Sequence, residues 1–341
     1  MPPNYPLVSI IITCFNYELF ISECIKSALQ QDYPNLEIIV VDDGSKDGSW
    51  DIIQQYRDQV TCVRQQNRGA LRSSLTGFRL SNGDFVHFLD ADDLLVPGAL
   101  QQIAPHLRPD VSKVQFMLSP IDRDGQVIGD PFPKLAQSIE SGPLIQSINQ
   151  RGYYNTPPTS GNIYRRDIYE NLGDLSYERA IDGVPYLLAP FLGKVVSLDV
   201  PLGKYRIHNA NLSSFSTLSS DRLNGYIDRF MARLRHLAQL IDERGIKGKV
   251  RLRQDYAYVR EMTILSTVAS GKRPALRLLA SYISAVRREH RALRTCMSLA
   301  FALGLFVLPN LGRRQLASFR LDPSRFWRVR SRLKHAASVG T

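Results

Sequence analysis

In the first ninety residues, short apolar runs alternate with segments in which apolar residues recur at helical spacing. The run LVSIIIT (7–13) is a continuous β-branched stretch and predicts a buried strand. In 18–30, Leu19, Ile21, Cys24, Ile25, Ala28 and Leu29 follow the period of an amphipathic helix. LEIIVVDD (36–43) predicts a second buried strand, GSKDGSWDIIQQY a turn and then a helix, and VTCVRQ (60–65) a third strand. A third helix is expected over 70–80 and a fourth strand over 84–89. Strands without a polar face, separated by helices, predict an α/β fold: a mostly parallel sheet flanked by helices on both sides. Beyond it the pattern is less regular. It contains a strand at 114–118, a turn at Asp124-Gly125, the Pro-rich PPTSGNIYRR (157–166) and a helix-like 180–192. From about 220 the chain reads as helical and basic, with a boundary in the Ser-rich NLSSFSTLSSD (211–221). The expected domains are therefore 1–215, in halves of about 7–110 and 111–215, and a helical basic region over 216–341.

Composition alters this picture in one respect. With 44% hydrophobic and 22% charged residues the chain is globular, and its formal net charge is +11. From 245 to 341, 20 Lys and Arg face four acids, giving +16, so the first 244 residues carry 23 bases against 28 acids, or −5. A mildly acidic body with a strongly basic end predicts an anionic partner for that end. The uncharged stretch TCMSLAFALGLFVLPNL (295–311) is short for a membrane span and contains Gly304 and Pro309. Before it, 273–294 places Leu276, Leu279, Ile283 and Val286 on one face with arginines elsewhere; after it, 319–335 interleaves Phe319, Phe326 and Trp327 with arginines. Basic amphipathic helices with aromatics predict binding at a membrane surface, with packing of 299–308 into a helical core as the alternative. No nucleic-acid-binding module is recognisable, so nucleic acid is not the expected partner. The four cysteines have no metal-ligand spacing and fit a reduced compartment. The N-terminal apolar run lacks a preceding basic segment and reads as the first strand, which predicts a cytoplasmic protein at the inner membrane face.

Candidate chemistry sits where strands end. FVHFLDADDLLVPGAL (85–100) runs a buried strand into Asp90, Asp92 and Asp93. Carboxylates that close repel one another, and burial adds to the cost, so a positive partner is expected. A hard divalent cation, Mn²⁺ or Mg²⁺, fits, because Mg²⁺ binds through one or two carboxylates plus substrate phosphates. An EF-hand loop is excluded by Leu94 and Leu95, and neither a P-loop nor a G-x-G-x-x-G occurs, so no glycine cradle holds a phosphate. The plainer alternative is that Asp92 or Asp93 caps the helix near Pro97. The first strand ends in Thr13-Cys14-Phe15-Asn16, where Phe15 either stacks on a base or packs in the core. The second ends in Asp42-Asp43-Gly44-Ser45, which also fits an Asx turn leading into a helix. All three ends converge on one sheet edge, where α/β sheets bind ligands.

Together, VSIIITCFNYELFISECIKSALQQDYPNLEIIVVDDGSKDGS and GDFVHFLDADD resemble the nucleotide-sugar-binding half of the family 2 inverting glycosyltransferases, which have the GT-A, Rossmann-like fold. SGNIYRR (160–166), ERAIDGVPYLLAPFLGKV (178–195) and YRIHNANLS (205–213) resemble that family's acceptor half. The resemblance implies that Phe15 stacks on the nucleobase, that Asp43, with Asp42 alongside, accepts a hydrogen bond from the base edge, and that Thr13, Asn16 and Ala91 line the same site. It implies that Asp90 holds the ribose or assists the metal, that Asp92 binds the divalent cation with Asp93 in support, that His208 lies near the diphosphate or the metal, and that Asp182 is the general base. The implied reaction moves a sugar from a nucleoside-diphosphate sugar, UDP by the family's habit, to a glycan or lipid-linked hydroxyl in surface-polysaccharide synthesis. Two departures stand out. Ser73-Ser74-Leu75 replaces an Ala-Arg-Asn-type segment, and Ile181 stands where an acid usually precedes the base. They motivate the alternative of a nucleotide-sugar-binding scaffold without turnover; a nucleotidyltransferase, releasing pyrophosphate, is a third reading.

Overall fold

The computed structural model describes residues 5–208, 218–290 and 292–321. The chain forms two compact units, one of Met1–Ile145, Asn155–Ile207 and Leu240–Gly248, the other of Gln146–Tyr154, His208–Gln239 and Lys249–Thr341. Residues 146–154 belong to the second unit and 240–248 to the first. The Ser-rich boundary falls largely on 209–217, outside the described residues.

The first unit opens with β1 (Val8–Cys14), α1 (Ile21–Leu29), β2 (Leu36–Asp42), α2 (Ser49–Gln54), β3 (Thr61–Arg64), α3 (Ala70–Leu80) and β4 (Phe85–Asp90). The strands pair in parallel in the order β3-β2-β1-β4. Register aligns their carboxyl ends: Cys14 lies opposite Asp42, and Thr13 opposite Asp90. There follow β5 (Leu94–Leu95), α4 (Ala99–Ile103), β6 (Val111–Ile121), β7 (Ser138–Glu140), α5 (Gly142–Arg151), β8 (Asn162–Arg165), α6 (Gly183–Leu192) and β9 (Lys194–Arg206). The full sheet has nine strands, ordered β3-β2-β1-β4-β8-β6-β9-β5, with β7 also on β9. β8 runs antiparallel to β4 and β6, and β9 runs parallel to β6 but antiparallel to β5 and β7. The parallel arrangement expected from the sequence thus holds for the first four strands, and the remainder is mixed.

The core of this unit is built by Ile10, Ile12, Val40 and Leu89 from the strands and by Ile21 and Ile25 from α1. On the other face α3 approaches closely at Gly77, where an added Cβ would lie 2.4 Å from Cγ2 of Ile11 and 3.4 Å from Cγ2 of Val41. Overpacking of a tight core costs about 1–3 kcal/mol. Gly77→Val is therefore expected to lower the unfolding free energy by that amount, and an unchanged midpoint in urea would refute this packing.

The second unit is helical, as expected. It contains α7 (Ser220–Glu243) up to Gln239, α8 (Ala257–Ala269), α9 (Leu276–Glu289), α10 (Ala292–Val307) and α11 (Asn310–Leu321). Leu265, Tyr282, Val286, Phe301, Leu305 and Ala317 are buried together at its centre. The Tyr282 hydroxyl bonds Glu261 at 2.8 Å and Ser298 at 3.2 Å, and Arg320 pairs with Glu261 at 2.6 Å. Among the described residues no helix is long and apolar enough to cross a membrane. The aromatic and basic stretch containing Phe326 and Trp327 lies outside the described residues.

Candidate active site

Three loops meet at the carboxyl edge of the parallel strands. After β1 the chain turns through Phe15 and Asn16, with Asn16 at φ 60°. The Asn16 N–H donates to Ser45 Oγ at 3.0 Å, and its side-chain carbonyl accepts from the Lys46 N–H at 2.8 Å. Asn16 therefore fastens the loop after β1 to the loop after β2. Phe15 is 38% exposed, so it is not a core residue. Thr13 is half-buried and Ala91 buried.

Asp42 and Asp43 are both buried but turn to different work. Asp42 accepts from the Ser45 N–H at 3.2 Å and pairs with Arg64 at 3.2 Å, so the turn reading of this pair is realised in Asp42. Asp43 accepts from Gln65 Nε2 at 2.6 Å, from the Arg68 N–H at 3.0 Å and from the Gly69 N–H at 2.8 Å. Its carboxylate holds the loop that leads into α3, and Gly69, at φ 85°, is the residue before that helix.

The carboxylates after β4 do not cap a helix. α4 begins only at Ala99, with Gly98 at its cap and no side-chain hydrogen bond there. Asp93 instead points inward. Its Oδ2 accepts from the Ser160 hydroxyl at 2.6 Å and its Oδ1 from the Arg206 N–H at 2.9 Å. Ser160 Oγ also accepts from the Asp90 N–H at 3.1 Å. Asp92 is 6% exposed, and its carbonyl accepts from Arg206 Nε at 2.9 Å. The Arg206 guanidinium continues to the Arg123 carbonyl at 2.8 Å and to Glu23 at 2.6 Å, and lies 4.9 Å from the Phe20 ring centroid. Its side chain is 1% exposed. Arg206 thus braces the cluster through its backbone N–H, on Asp93, and through its guanidinium, on the Asp92 carbonyl, while its charge pairs with Glu23.

Burial and mutual repulsion disfavour the charged form of the carboxyls in this cluster. Burial, then the charges of Asp92 and Asp182, holds the Asp90 carboxyl well above the usual carboxylate range. Burial, Asp92 and Asp90 do the same to Asp93. Burial and the charges of Asp92, Asp90 and Asp93 also raise the Tyr17 phenol, which places Tyr17 beside the same cluster. Among the described residues no group of three or more His, Cys, Asp or Glu side chains is arranged to hold a metal. Asp90 and Asp92 nevertheless supply the donor set that Mg²⁺ uses, one or two carboxylates completed by substrate phosphates. A cation between them would relieve the repulsion that raises Asp90, so these residues fit a divalent metal shared with a diphosphate.

Asp182 stands at the start of α6, where its side chain makes no cap to the helix backbone. Its Oδ2 accepts from the Thr159 hydroxyl at 3.2 Å. Thr159 and Ser160 are neighbours in one short 3₁₀ turn, Thr159–Gly161, so a single dipeptide ties Asp182 on one side and Asp90 and Asp93 on the other. Lys113 lies nearby on β6, fully buried. Its Nζ donates to Gln115 Oε1 at 2.9 Å and to Thr156 Oγ1 at 2.7 Å. Burial drives the Lys113 ammonium well below its ordinary pKa, and the charge of Asp182 opposes that shift. His208 directly follows Ile207, half-buried; residues 209–217 after it lie outside those described.

The structure therefore gathers Asp90, Ala91, Asp92 and Asp93 with Thr13, Phe15, Asn16, Asp42 and Asp43 at one edge, and brings the charge of Asp182 to bear on Asp90. Arg206, Ser160, Thr159 and Lys113 are additions that sequence reasoning did not single out. Arg206 stands in YRIH and Ser160 in PPTSGN, both in segments whose resemblance to the acceptor half was noted.

The sequence profile described as Glycosyl transferase family 2 matches residues 9–173. An uncharacterized glycosyltransferase, alr2836, of Nostoc sp. is 33% identical over 255 residues, which cover 68% of this chain and 78% of that protein. The UDP-Glc:alpha-D-GlcNAc-diphosphoundecaprenol beta-1,3-glucosyltransferase WfaP of Escherichia coli is 39% identical over 92 residues, 26% of this chain and 37% of that one. The crystal structure of S. aureus TarS 1–349 in complex with UDP-GlcNAc shares the fold, with a TM-score of 0.53 at 17% identity, covering 92% of this chain and 91% of that chain. The carboxylate-lined strand ends, the GT-A sheet and the extent of the match to alr2836 converge, and the chain belongs to glycosyltransferase family 2.

Proposed function

We propose that this glycosyltransferase moves a sugar from a UDP-sugar to a hydroxyl of a glycan or lipid-linked acceptor, with inversion at the anomeric carbon and with a divalent cation, in surface-polysaccharide synthesis at the cytoplasmic membrane face. The observation that carries this reading is the Thr159–Ser160 turn, which couples a carboxylate suited to base catalysis to the carboxylates suited to a metal diphosphate. The activity for which WfaP is named, with a UDP-Glc donor and a diphosphoundecaprenol-linked acceptor, supports the choice of substrate classes.

In this reading Phe15 stacks on the uracil ring, Asp43 orders the neighbouring loop and faces the base edge, and Asp90 and Asp92 hold the cation. The bound cation supplies charge stabilisation for the departing diphosphate without a proton. Asp182, with one oxygen fixed by Thr159, takes the proton from the acceptor hydroxyl at its other oxygen. The deprotonating hydroxyl attacks the anomeric carbon as the bond to the diphosphate breaks, and a single displacement without an enzyme nucleophile inverts that centre. Arg206 keeps the Asp92–Asp93 backbone in place from beneath.

Thermal stability in the presence of UDP, GDP, dTDP and CMP, each with Mn²⁺ or with EDTA, tests the donor side. A ligand that binds only the native state raises the transition by mass action, about 2.7 kcal/mol at a hundredfold excess over Kd. UDP with Mn²⁺ is expected to raise it, and Asp92→Ala to abolish the metal-dependent part. A shift with none of the four nucleotides would overturn the reading.

A further inference from the structure

α10 has two apolar faces, and among the described residues only one of them is packed against the fold. Ser298, Phe301, Ala302 and Leu305 face the core of the second unit and are buried. On the opposite side Ala292, Cys296, Leu299, Ala300, Leu303 and Val307 are exposed, with Leu299 at 48%, Leu303 at 61% and Val307 at 66%. At helical spacing these six fall within an arc of roughly 100°, the width of a surface helix's buried stripe. The helix is 16 residues long, or about 24 Å. No charged residue interrupts the stripe, and the next exposed apolar side chains along the chain are Leu311 and Phe319. A contiguous apolar face of this length in water marks an interaction surface.

Charge indicates what covers it. Between 249 and 321 the chain has three acids, and each is engaged within the unit. Asp255 pairs with Arg253 and Arg288, Glu261 with Arg320, and the buried Glu289 accepts from the Ala257 N–H. Lys272, Arg273, Arg277, Arg287 and Arg314 are exposed on the same unit. An uninterrupted apolar stripe on a helical unit whose exposed charges in this segment are positive complements a surface that is oily within and anionic at its rim. A second copy packed through this same face would oppose like charges, and a nucleic acid would leave the stripe in water. α10 is also too short to cross a bilayer, so the stripe suits the headgroup boundary.

We propose that this face of α10 seats the second unit on an anionic lipid bilayer, the helix lying in the plane of the membrane. The proposal deepens the membrane placement given above and rests on it, but it is independent of the donor chemistry. The test is flotation of the full-length protein with vesicles of phosphatidylcholine alone or mixed with phosphatidylglycerol. The wild type is expected to float with the mixed vesicles and much less with phosphatidylcholine. Leu303→Glu/Val307→Glu and the uncharged Leu303→Ser/Val307→Ser are each expected to lose on the order of tenfold or more in partitioning. Both sites are exposed, so the thermal transition and the nucleotide-induced shift should be unchanged in either variant. Undiminished flotation of both double variants would overturn the stripe while leaving the membrane placement standing. Failure of the wild type to float on mixed vesicles would overturn both, and a retained UDP shift in that sample would show that the transfer reading is unaffected. A wild-type dimer in sedimentation that becomes monomeric in both variants, without flotation, would assign the face to a second copy and overturn the proposal.

Discussion

Asp182→Asn is expected to lower turnover by on the order of 10²–10⁴-fold while leaving donor affinity unchanged, the range over which general acid–base catalysis acts. The amide keeps the shape of the carboxylate, and its oxygen can still accept from the Thr159 hydroxyl at the position now held by Oδ2. What is removed is the capacity to take a proton from the acceptor. The negative charge that Asp182 directs at Asp90 is removed with it, so Asp90 should bind a proton less tightly in the variant. Donor binding and turnover therefore separate: calorimetric titration with UDP and Mn²⁺ should give the wild-type affinity, and single-turnover transfer should fall to near background. Turnover within threefold of wild type would remove Asp182 from the role of base. A parallel loss of donor binding would instead make it a structural element of the loop.

The largest effect on stability is expected at Arg206. Its guanidinium is buried and donates to the carbonyls of Asp92 and Arg123 and to the carboxylate of Glu23. Arg206→Met keeps much of the apolar volume against Phe20 and removes every one of those donors. Deleting one partner of a buried charged network typically costs about 3–5 kcal/mol, because the remaining groups are left unsatisfied. Glu23 is half-exposed and can be solvated, so the greater part of the cost falls on the buried carbonyls. With roughly 2–4 °C per kcal/mol for a unit of this size, the transition is expected to fall by about 6–20 °C. Arg206→Lys retains the charge but lacks the planar fork that reaches three directions at once, and should recover only part of the loss. Wild-type melting in Arg206→Met would show that the cluster does not depend on this cation.

β1 and β2 were legible as β-branched runs and β4 as an apolar one, all largely buried, whereas β3 is a short edge strand, exposed at Thr61 and Arg64, read from Cys62, Val63 and its place between two helices. β6 was read only at its centre, since the buried polar residues Ser112, Lys113 and Gln115 interrupt the hydrophobic signal. β9 was not read at all: Asp199 and Pro201 break its pattern, and its pairing with β6 shifts register between Phe116 and Leu118. At the site, the acidic strand ends stood out because carboxylates after apolar runs are locally anomalous. The residue that braces them did not, because the Arg206 guanidinium meets the Asp92 carbonyl across 114 residues and its N–H meets the Asp93 side chain across 113, and nothing near Tyr205 or Ile207 announces either partner. In the second unit, hydropathy marked α10 as apolar all round, and only the packing showed that half of it faces outward.

The Thr159–Ser160 pair sets a rule for rebuilding this enzyme. Because adjacent hydroxyls hold Asp182 and the Asp90–Asp93 turn, residues 157–162 cannot be exchanged without disturbing both. Asn162, whose side chain closes this turn onto the Pro158 carbonyl at 2.8 Å, belongs to the same joint. A graft that spares 157–162 and Asp182 leaves that joint whole, and one that cuts through it shifts two groups of carboxylates at once.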